Sequence, residues 1–239
     1  MAKMTLDELV TQLRAAYGNH LRAAVLYGSA AAGEHVPDRS DYNVLLLLDS
    51  LDATSLRAAT SVARAWRDAG NPPPMTMTVD EWARSADVFP MEYADILDRN
   101  RVLHGTAPFE GISISHEHLR LQLEQQVMGK LLQLRQGVLL AGDDGKRQLE
   151  LLSASLSTMM VLFRAVLRLH GERPDGEPAS VAQRVGSLAG MDATPFVRTS
   201  RHLRGKLPLA AGEAGAVLAA YLRGIERLEQ YLDGYTRSP

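Results

Sequence analysis

The sequence contains no cysteine and no long run of apolar residues. Without cysteine, disulfides, thiolate zinc sites and cysteine nucleophiles are excluded, and a reducing cytoplasmic location is favoured. Uninterrupted apolar runs such as Val44 to Leu48 are far too short to cross a bilayer. The stretch up to Gly18 is interrupted by charges and lacks the apolar centre of a signal peptide. We therefore expect a cytoplasmic protein with no membrane partner.

The sequence also lacks a large excess of charge of one sign. The 26 basic and 28 acidic residues leave a formal net charge of −2. Because no overall field gathers polyanions, we do not expect a nucleic-acid partner. Hydrophobic residues at 46% and charged residues at 23% match ordinary globular proteins. A chain of 239 residues is long enough for one large domain or two modest ones.

The first half of the chain alternates helical patterns with short apolar runs. Apolar residues from Leu6 to Leu13 recur at helical spacing, with Thr5 as the N-cap and Gly18 as the end. The later pattern predicts one further helix over 53–69 and a helical turn over 80–85. It also predicts strands at 23–27, 42–48, 75–79 and 89–96, followed by a short apolar piece at 101–104. This order predicts a compact mixed α/β domain.

The pattern is helical almost to the end of the chain after Gly111. We predict helices over 116–140, 148–170, 179–188, 195–203 and 213–235. Long helices joined by short links are typical of a bundle. The sequence therefore predicts an α/β domain over 1–108 followed by a helical bundle domain over 109–239, and it leaves a homo-oligomer open.

The most informative passage joins the first two predicted strands. Gly28-Ser29 ends the first strand, and after eleven intervening residues Asp41-Tyr42-Asn43 opens the second. A glycine lets the backbone approach a phosphate closely, and a serine hydroxyl can donate to its oxygens. Alternate strand residues share a face, so Asp41 and Asn43 present two oxygen-bearing side chains together. Such oxygens suit Mg²⁺.

This passage resembles the signature of the DNA polymerase beta-like nucleotidyltransferase superfamily. The resemblance implies binding of a nucleoside triphosphate with Mg²⁺ and transfer of its nucleotidyl group to an acceptor such as a small-molecule hydroxyl. It implies a third acid on a later strand, and Glu92 in Met91-Glu92-Tyr93 is the match. The implied metal and catalytic residues are Asp41, Asn43 and Glu92, and the implied nucleotide-binding residues are Gly28, Ser29, Arg39 and Ser40.

Asn43 departs from this signature, because the superfamily carries a carboxylate at that position. An amide oxygen can coordinate a metal, but it offsets less charge and cannot act as a general base. The sequence alone leaves open whether the protein is an active enzyme or a catalytically inactive scaffold or regulatory binding protein. Ordinary turn chemistry at Gly28-Ser29 and a solvated loop charge at Arg39 are the structural alternatives.

The helical half adds an architectural resemblance to kanamycin nucleotidyltransferase, which implies no particular residue of the bundle. Arg164 and His170 match the loose arginine-to-histidine motif of helical ribonuclease domains, a third hypothesis in which the arginine steadies a phosphate and the histidine moves a proton. A plainer interpretation places these residues near a helix C-terminus, where the dipole favours cations. Met159, Met160 and Phe163 indicate core packing.

Overall fold

The computed structural model describes residues 3–31, 33, 41–174 and 176–235. The chain divides into two compact units, Met1–Ser115 and His116–Pro239, which we call the sheet unit and the helical unit. This α/β unit followed by an all-helical unit confirms the predicted fold class. The predicted nucleotide-binding residues Arg39 and Ser40 lie outside the described residues.

The sheet unit contains four strands and five helices within its described residues. The strands are β1 (Leu21–Tyr27), β2 (Asn43–Leu48), β3 (Met75–Thr78) and β4 (Asn100–Gly105), and the helices are α1 (Leu6–Tyr17), α2 (Ala53–Ala58), α3 (Thr60–Asp68), α4 (Val79–Arg84) and α5 (Pro90–Asp98). The first helix is capped as predicted, since the Thr5 side chain accepts from the Glu8 amide and the Glu8 carboxylate accepts from the Thr5 amide.

The sheet has the strand order β3-β2-β1-β4. Strand β1 is antiparallel to both β2 and β4, whereas β2 and β3 run parallel. The two central strands are apolar from Ala23 to Leu26 and from Val44 to Leu48, where both of their faces are covered. One face packs against α1 and α3, through residues that include Leu13 and Trp66. The other packs against α4 and α5, through residues that include Trp82, Tyr93 and Ile96.

The prediction of a strand over 89–96 was wrong. The segment forms the helix α5, and Pro90 lies in its first turn, where a missing amide hydrogen costs nothing. The buried residues Met91, Tyr93, Ala94 and Ile96 do not alternate strictly, as a half-buried strand would require. Tyr93 fixes the helix to the sheet unit, because its ring stacks on Trp82 at 4.0 Å and its hydroxyl donates to the Trp82 carbonyl at 2.7 Å.

The helical unit contains five helices within its described residues. They are α6 (His116–Ala141), α7 (Gly145–Leu169), α8 (Pro178–Ala189), α9 (Thr194–Leu203) and α10 (Ala211–Asp233). Helix α7 contacts each of the other four. Its Phe163 meets Phe196 edge to face at 5.0 Å, in a core where Gly224 leaves room for the Phe196 ring. The predicted core residues Met159, Met160 and Phe163 are all buried.

Helix α7 is also long and apolar enough to cross a membrane, with a mean hydropathy of 1.5 in its most apolar window. A central helix of a bundle passes the same test. Because α7 buries side chains along its whole length against the four other helices, we interpret it as the core helix of this unit.

Candidate functional site

The turn that follows β1 is pinned to the segment between α5 and β4. Gly28 is buried and has a φ of +76°, a backbone conformation that favours glycine. Its amide donates to the Arg99 carbonyl at 3.1 Å, so the protein itself uses this amide. Its carbonyl accepts from the Ala31 amide and closes a single 3₁₀ turn over Gly28–Ala30. Ser29 therefore lies half-buried in a well-defined turn.

The first residue of β2 faces the same side of the sheet as the last residue of β1. Asn43 pairs directly with Tyr27, and residues that lie opposite each other on paired strands share a face. The amide of the preceding residue, Tyr42, donates to the Asn71 side-chain oxygen at 3.0 Å. This hydrogen bond fixes the start of β2 and holds Asn43 in register with Tyr27. Asp41 is exposed, immediately before the strand.

Helix α5 brings an acid to this end of the sheet. A Cβ placed on Gly28 would lie 3.6 Å from the Asn43 side-chain nitrogen and 3.6 Å from a carboxylate oxygen of Asp95. The amide of one strand and the carboxylate of one helix therefore flank the glycine of the turn. We call Gly28, Asn43 and Asp95 the Gly28 site.

The electrostatics of Tyr27 place two carboxylates near this site. The pKa of the Tyr27 hydroxyl is raised above its usual range, first by burial and then by the negative charges of Asp95 and Glu92. Asp95 has the larger effect of the two acids. Tyr27 therefore remains protonated at neutral pH and can donate a hydrogen bond beside the Gly28 site.

The structure brings together some of the residues that the sequence predicts. Gly28 and Asn43 are neighbours, and Ser29 continues the turn. Glu92 is exposed on α5, and Asp95, which the sequence analysis did not select, is the acid beside Gly28. The predicted strand placed positions 92 and 95 on opposite faces of the sheet, so Asp95 was not expected beside Glu92. In a helix, positions three apart are neighbours.

The part of the chain that the structure describes holds no group of three or more histidine, aspartate or glutamate side chains placed to bind a metal ion. The Gly28 site offers one carboxylate and one amide, with Asp41 exposed nearby in sequence. These are oxygen ligands of the kind that Mg²⁺ prefers. A Mg²⁺ held by these side chains would need phosphate oxygens to complete its coordination.

The ribonuclease hypothesis requires Arg164 and His170 to share a site. His170 lines a pocket together with Arg168, and Arg164 is not among the residues of its lining. The ring nitrogen Nε2 of His170 lies 2.5 Å from the Tyr231 hydroxyl. This arrangement gives the arginine-to-histidine motif no support.

Comparisons with known proteins were made for both the sequence and the structure. The sequence matches no protein-family model and no curated protein. Among solved structures, the chain is similar to the spectinomycin adenyltransferase AAD(9) from Enterococcus faecialis, solved with ATP and spectinomycin. The TM-score is 0.56 at 12% identity, over 95% of this chain and 98% of that one.

The chain has a nucleotidyltransferase-like fold. An identity this low establishes the architecture and not the ligands, because one fold hosts many functions. The match covers 95% of this chain, so it includes both the sheet unit and the helical unit.

Proposed function

We propose that this protein binds a nucleoside triphosphate with Mg²⁺ at the Gly28 site and transfers its nucleotidyl group to a hydroxyl of a small molecule. The observation that carries the proposal is the approach of both the Asn43 and the Asp95 side chains to Gly28. Polar side chains that flank a side-chain-free turn leave room for phosphate oxygens. The structural neighbour was solved with ATP and spectinomycin, which supports a triphosphate and a small-molecule ligand here.

Each residue of the proposed site has a role that its chemistry permits. Ser29 donates its hydroxyl to a phosphate oxygen, and the φ of Gly28 keeps the turn free of a side chain. Tyr27 donates a hydrogen bond from its hydroxyl, which is protonated at neutral pH as in any tyrosine. Arg39 and Ser40 remain predicted phosphate contacts outside the described residues.

The proposed reaction is an attack of the acceptor hydroxyl on the α-phosphorus. A new oxygen–phosphorus bond forms, the bond between the α-phosphorus and its bridging oxygen breaks, and pyrophosphate leaves. The hydroxyl proton passes to a carboxylate, since the Asn43 amide cannot accept it. Asp95 is the better placed acid, with Glu92 as its alternative on the same helix.

Mg²⁺ would be held by Asp41, by the Asn43 amide oxygen and by Asp95 or Glu92. The bound cation would supply positive charge that offsets the charge of the phosphates. The Asn43 side chain points its nitrogen toward Gly28, and a half-turn of the amide exchanges nitrogen for oxygen at the same place.

Calorimetric titration of the whole chain with the four common triphosphates, with and without Mg²⁺, tests the binding step. Asp95→Asn should weaken the Mg²⁺-dependent binding about tenfold, as expected for loss of one charged ligand. Glu92→Gln should change it less. Asp68→Asn is the matched control, because Asp68 is exposed at the end of α3, which packs against the opposite face of the sheet.

Two results of this titration would reject the assignment. Absence of binding to every triphosphate would remove the proposed function altogether. A larger loss for Glu92→Gln than for Asp95→Asn would instead return the acid role to Glu92, as the sequence predicts.

Asn43→Asp tests whether the missing carboxylate limits catalysis. A unit charge pair about 4 Å apart is worth about 4 kcal/mol at an effective dielectric constant of 20. Solvent screening at the half-buried Asn43 reduces this to roughly a third, so we expect about a tenfold gain in turnover. Pyrophosphate release with a panel of hydroxylated small molecules is the measurement. Triphosphate binding without turnover in either form would contradict the transfer step.

A catalytically inactive scaffold or regulatory binding protein is the second candidate, and two observations favour it. The Gly28 amide is already bonded to the Arg99 carbonyl, so it cannot also donate to a phosphate. Leu139 and Leu140, at the end of α6, are 84% and 80% exposed, which is typical of a protein-binding surface. A protein that binds no triphosphate and whose self-association is lost in Leu139→Gln, measured by sedimentation velocity, would support this candidate.

A further inference from the structure

A polar pocket lies within the helical unit, where α6 begins and where α7 and α10 end. Its volume is about 680 Å³, within the range of small-molecule sites. We call it the helix-end pocket. It is lined by His116, Arg168, Leu169, His170, Gly171, Arg227, Gln230, Tyr231, Gly234 and Tyr235.

The lining of the helix-end pocket contains two arginines and two histidines, which come from three different helices. Among the lining residues that the structure describes, none is acidic. The carboxylate of Glu172, close by in sequence, is held by the guanidinium of Arg184 through both of its oxygens. Arg168 and Arg227 therefore bring positive charge to the pocket from α7 and α10.

The same pocket contains a group of packed aromatic rings. Tyr235 lies 5.3 Å from His170, 5.7 Å from Tyr231 and 6.1 Å from His116, measured between ring centres. The hydrogen bond between His170 and Tyr231 fixes two of these rings relative to each other. The side chains of His116, His170, Tyr231 and Tyr235 are all half-buried, so each packs against its neighbours and still exposes part of its surface.

Helix ends alone do not account for this composition. The guanidinium of Arg227 lies beside Gly190, the C-terminal cap of α8, and Arg168 is in the last turn of α7, and both are positions that favour a cation. The carbonyl ends of α7 and α10 oppose a bound anion, but two full arginine charges outweigh the half charge of each terminus. Helix dipoles also give no reason for two histidines and two tyrosines to share the cavity.

We propose that the helix-end pocket binds a small phosphate monoester that carries a planar ring. Guanidinium groups from two helices, with histidine and tyrosine side chains beside them as further donors, suit a phosphate better than the two-oxygen plane of a carboxylate, because a phosphate has three acceptor oxygens and up to two charges. The cavity is much larger than a phosphate alone requires, and its aromatic wall offers a stacking surface for the rest of the ligand. This site is separate from the residues of the Gly28 site.

Calorimetric titration of the whole chain with phenyl phosphate, in a buffer of low salt free of other phosphates, tests the proposal. We expect a dissociation constant below about 1 mM. Inorganic phosphate should bind about tenfold more weakly because it lacks the stacking ring. Equal affinities for the two probes, or no binding of phenyl phosphate, would overturn the proposal.

Arg227→Gln should weaken phenyl phosphate binding about tenfold, the effect expected for loss of one charge-assisted hydrogen bond. Arg223→Gln is the matched control, since Arg223 is equally exposed on α10 but does not line the pocket. Equal losses in the two variants would show a non-specific charge effect and would overturn the proposal.

A third variant separates this site from the proposed triphosphate site. Asp95→Asn should leave phenyl phosphate binding unchanged, whereas Arg227→Gln should leave the Mg²⁺-dependent triphosphate binding unchanged. Loss of phenyl phosphate binding in Asp95→Asn would assign the probe to the Gly28 site and overturn the second site. Failure of the triphosphate titration, with phenyl phosphate binding intact, would overturn only the proposed function.

Discussion

Replacement of Gly28 by alanine tests whether the space between Asn43 and Asp95 is the phosphate site. The new Cβ would lie 3.6 Å from both side chains, which is ordinary contact distance, so we expect no steric clash. The cost comes from the backbone, because a φ of +76° disfavours any residue with a Cβ by about 1–2 kcal/mol. The methyl group would also fill the space that a phosphate oxygen needs.

Both tryptophans of the chain, Trp66 and Trp82, are buried in the sheet unit, so tryptophan fluorescence reports the unfolding of that unit alone. We expect Gly28→Ala to lower its melting temperature by about 4–8 °C for each kcal/mol lost. Triphosphate binding should fall at least about tenfold, since the methyl group would displace a phosphate oxygen and remove one of its charge-assisted hydrogen bonds.

Gly111→Ala is the matched control for this experiment. Gly111 has a φ of +80° and no atom within 4 Å of its added Cβ, so it introduces the same backbone cost without filling the site. We expect a similar loss of stability and unchanged triphosphate binding. If Gly28→Ala binds triphosphate normally, or if both variants lose binding alike, the space beside Gly28 is not the phosphate site.

Three further predictions concern stability. Gly105→Ala should cost about 3 kcal/mol or more in denaturant unfolding, because its Cβ would lie 1.9 Å from the Arg22 carbonyl oxygen. Tyr93→Phe should cost about 1–2 kcal/mol in denaturant unfolding, since it leaves the Trp82 carbonyl without its donor. In the parent protein, burial raises the pKa of the Tyr93 hydroxyl to about 12, which an absorbance titration measures. Burial lowers the pKa of His170 below 6.5, against the opposing effect of the Glu172 carboxylate, so the unfolded chain binds more protons and stability should fall as pH drops from 6.5 through the folded-state pKa.

Each of these predictions has its own control. Gly18→Ala, at a φ of +56° with nothing within 4 Å of the added Cβ, should cost clearly less than Gly105→Ala. A Tyr93→Phe variant as stable as the parent would show that water replaces the lost donor. For His170, a proton NMR titration gives the pKa directly, and His170→Gln should reduce the loss of stability at acid pH. An unchanged pH dependence in that variant would contradict the linkage.

Local sequence signals were sufficient for the elements whose pattern has one interpretation. The capped helix that begins after Thr5 and the apolar strands β1 and β2 were predicted because a cap, a glycine end or a continuous apolar run identifies each of them. The spacing between Gly28 and Asn43 also predicted that these residues meet, since antiparallel pairing of two adjacent strands returns the chain to the same edge.

The segment from Phe89 to Asp98 shows the limit of such signals. Its apolar residues fit a strand or a short buried helix nearly equally well, and Pro90 was the one local feature that favoured the helix. The choice between strand and helix depended on Tyr93, which stacks on Trp82 of α4. Trp82 is distant in sequence from Gly28 and Asn43. Packing against α4 therefore decided which acid reaches Gly28.

By itself the sequence determined the class of fold, the division into a sheet-containing half and a helical half, and the glycine turn with its opposing asparagine. These depend on periodicity and on contacts between strands that pair directly, which are encoded locally. Only the tertiary structure decided that Asp95 flanks Gly28, that the Gly28 amide is already bonded to Arg99, and that His170 meets Tyr231 and Tyr235. Each of these depends on how separate helices pack, and no short stretch of sequence specifies packing between residues so far apart in the chain.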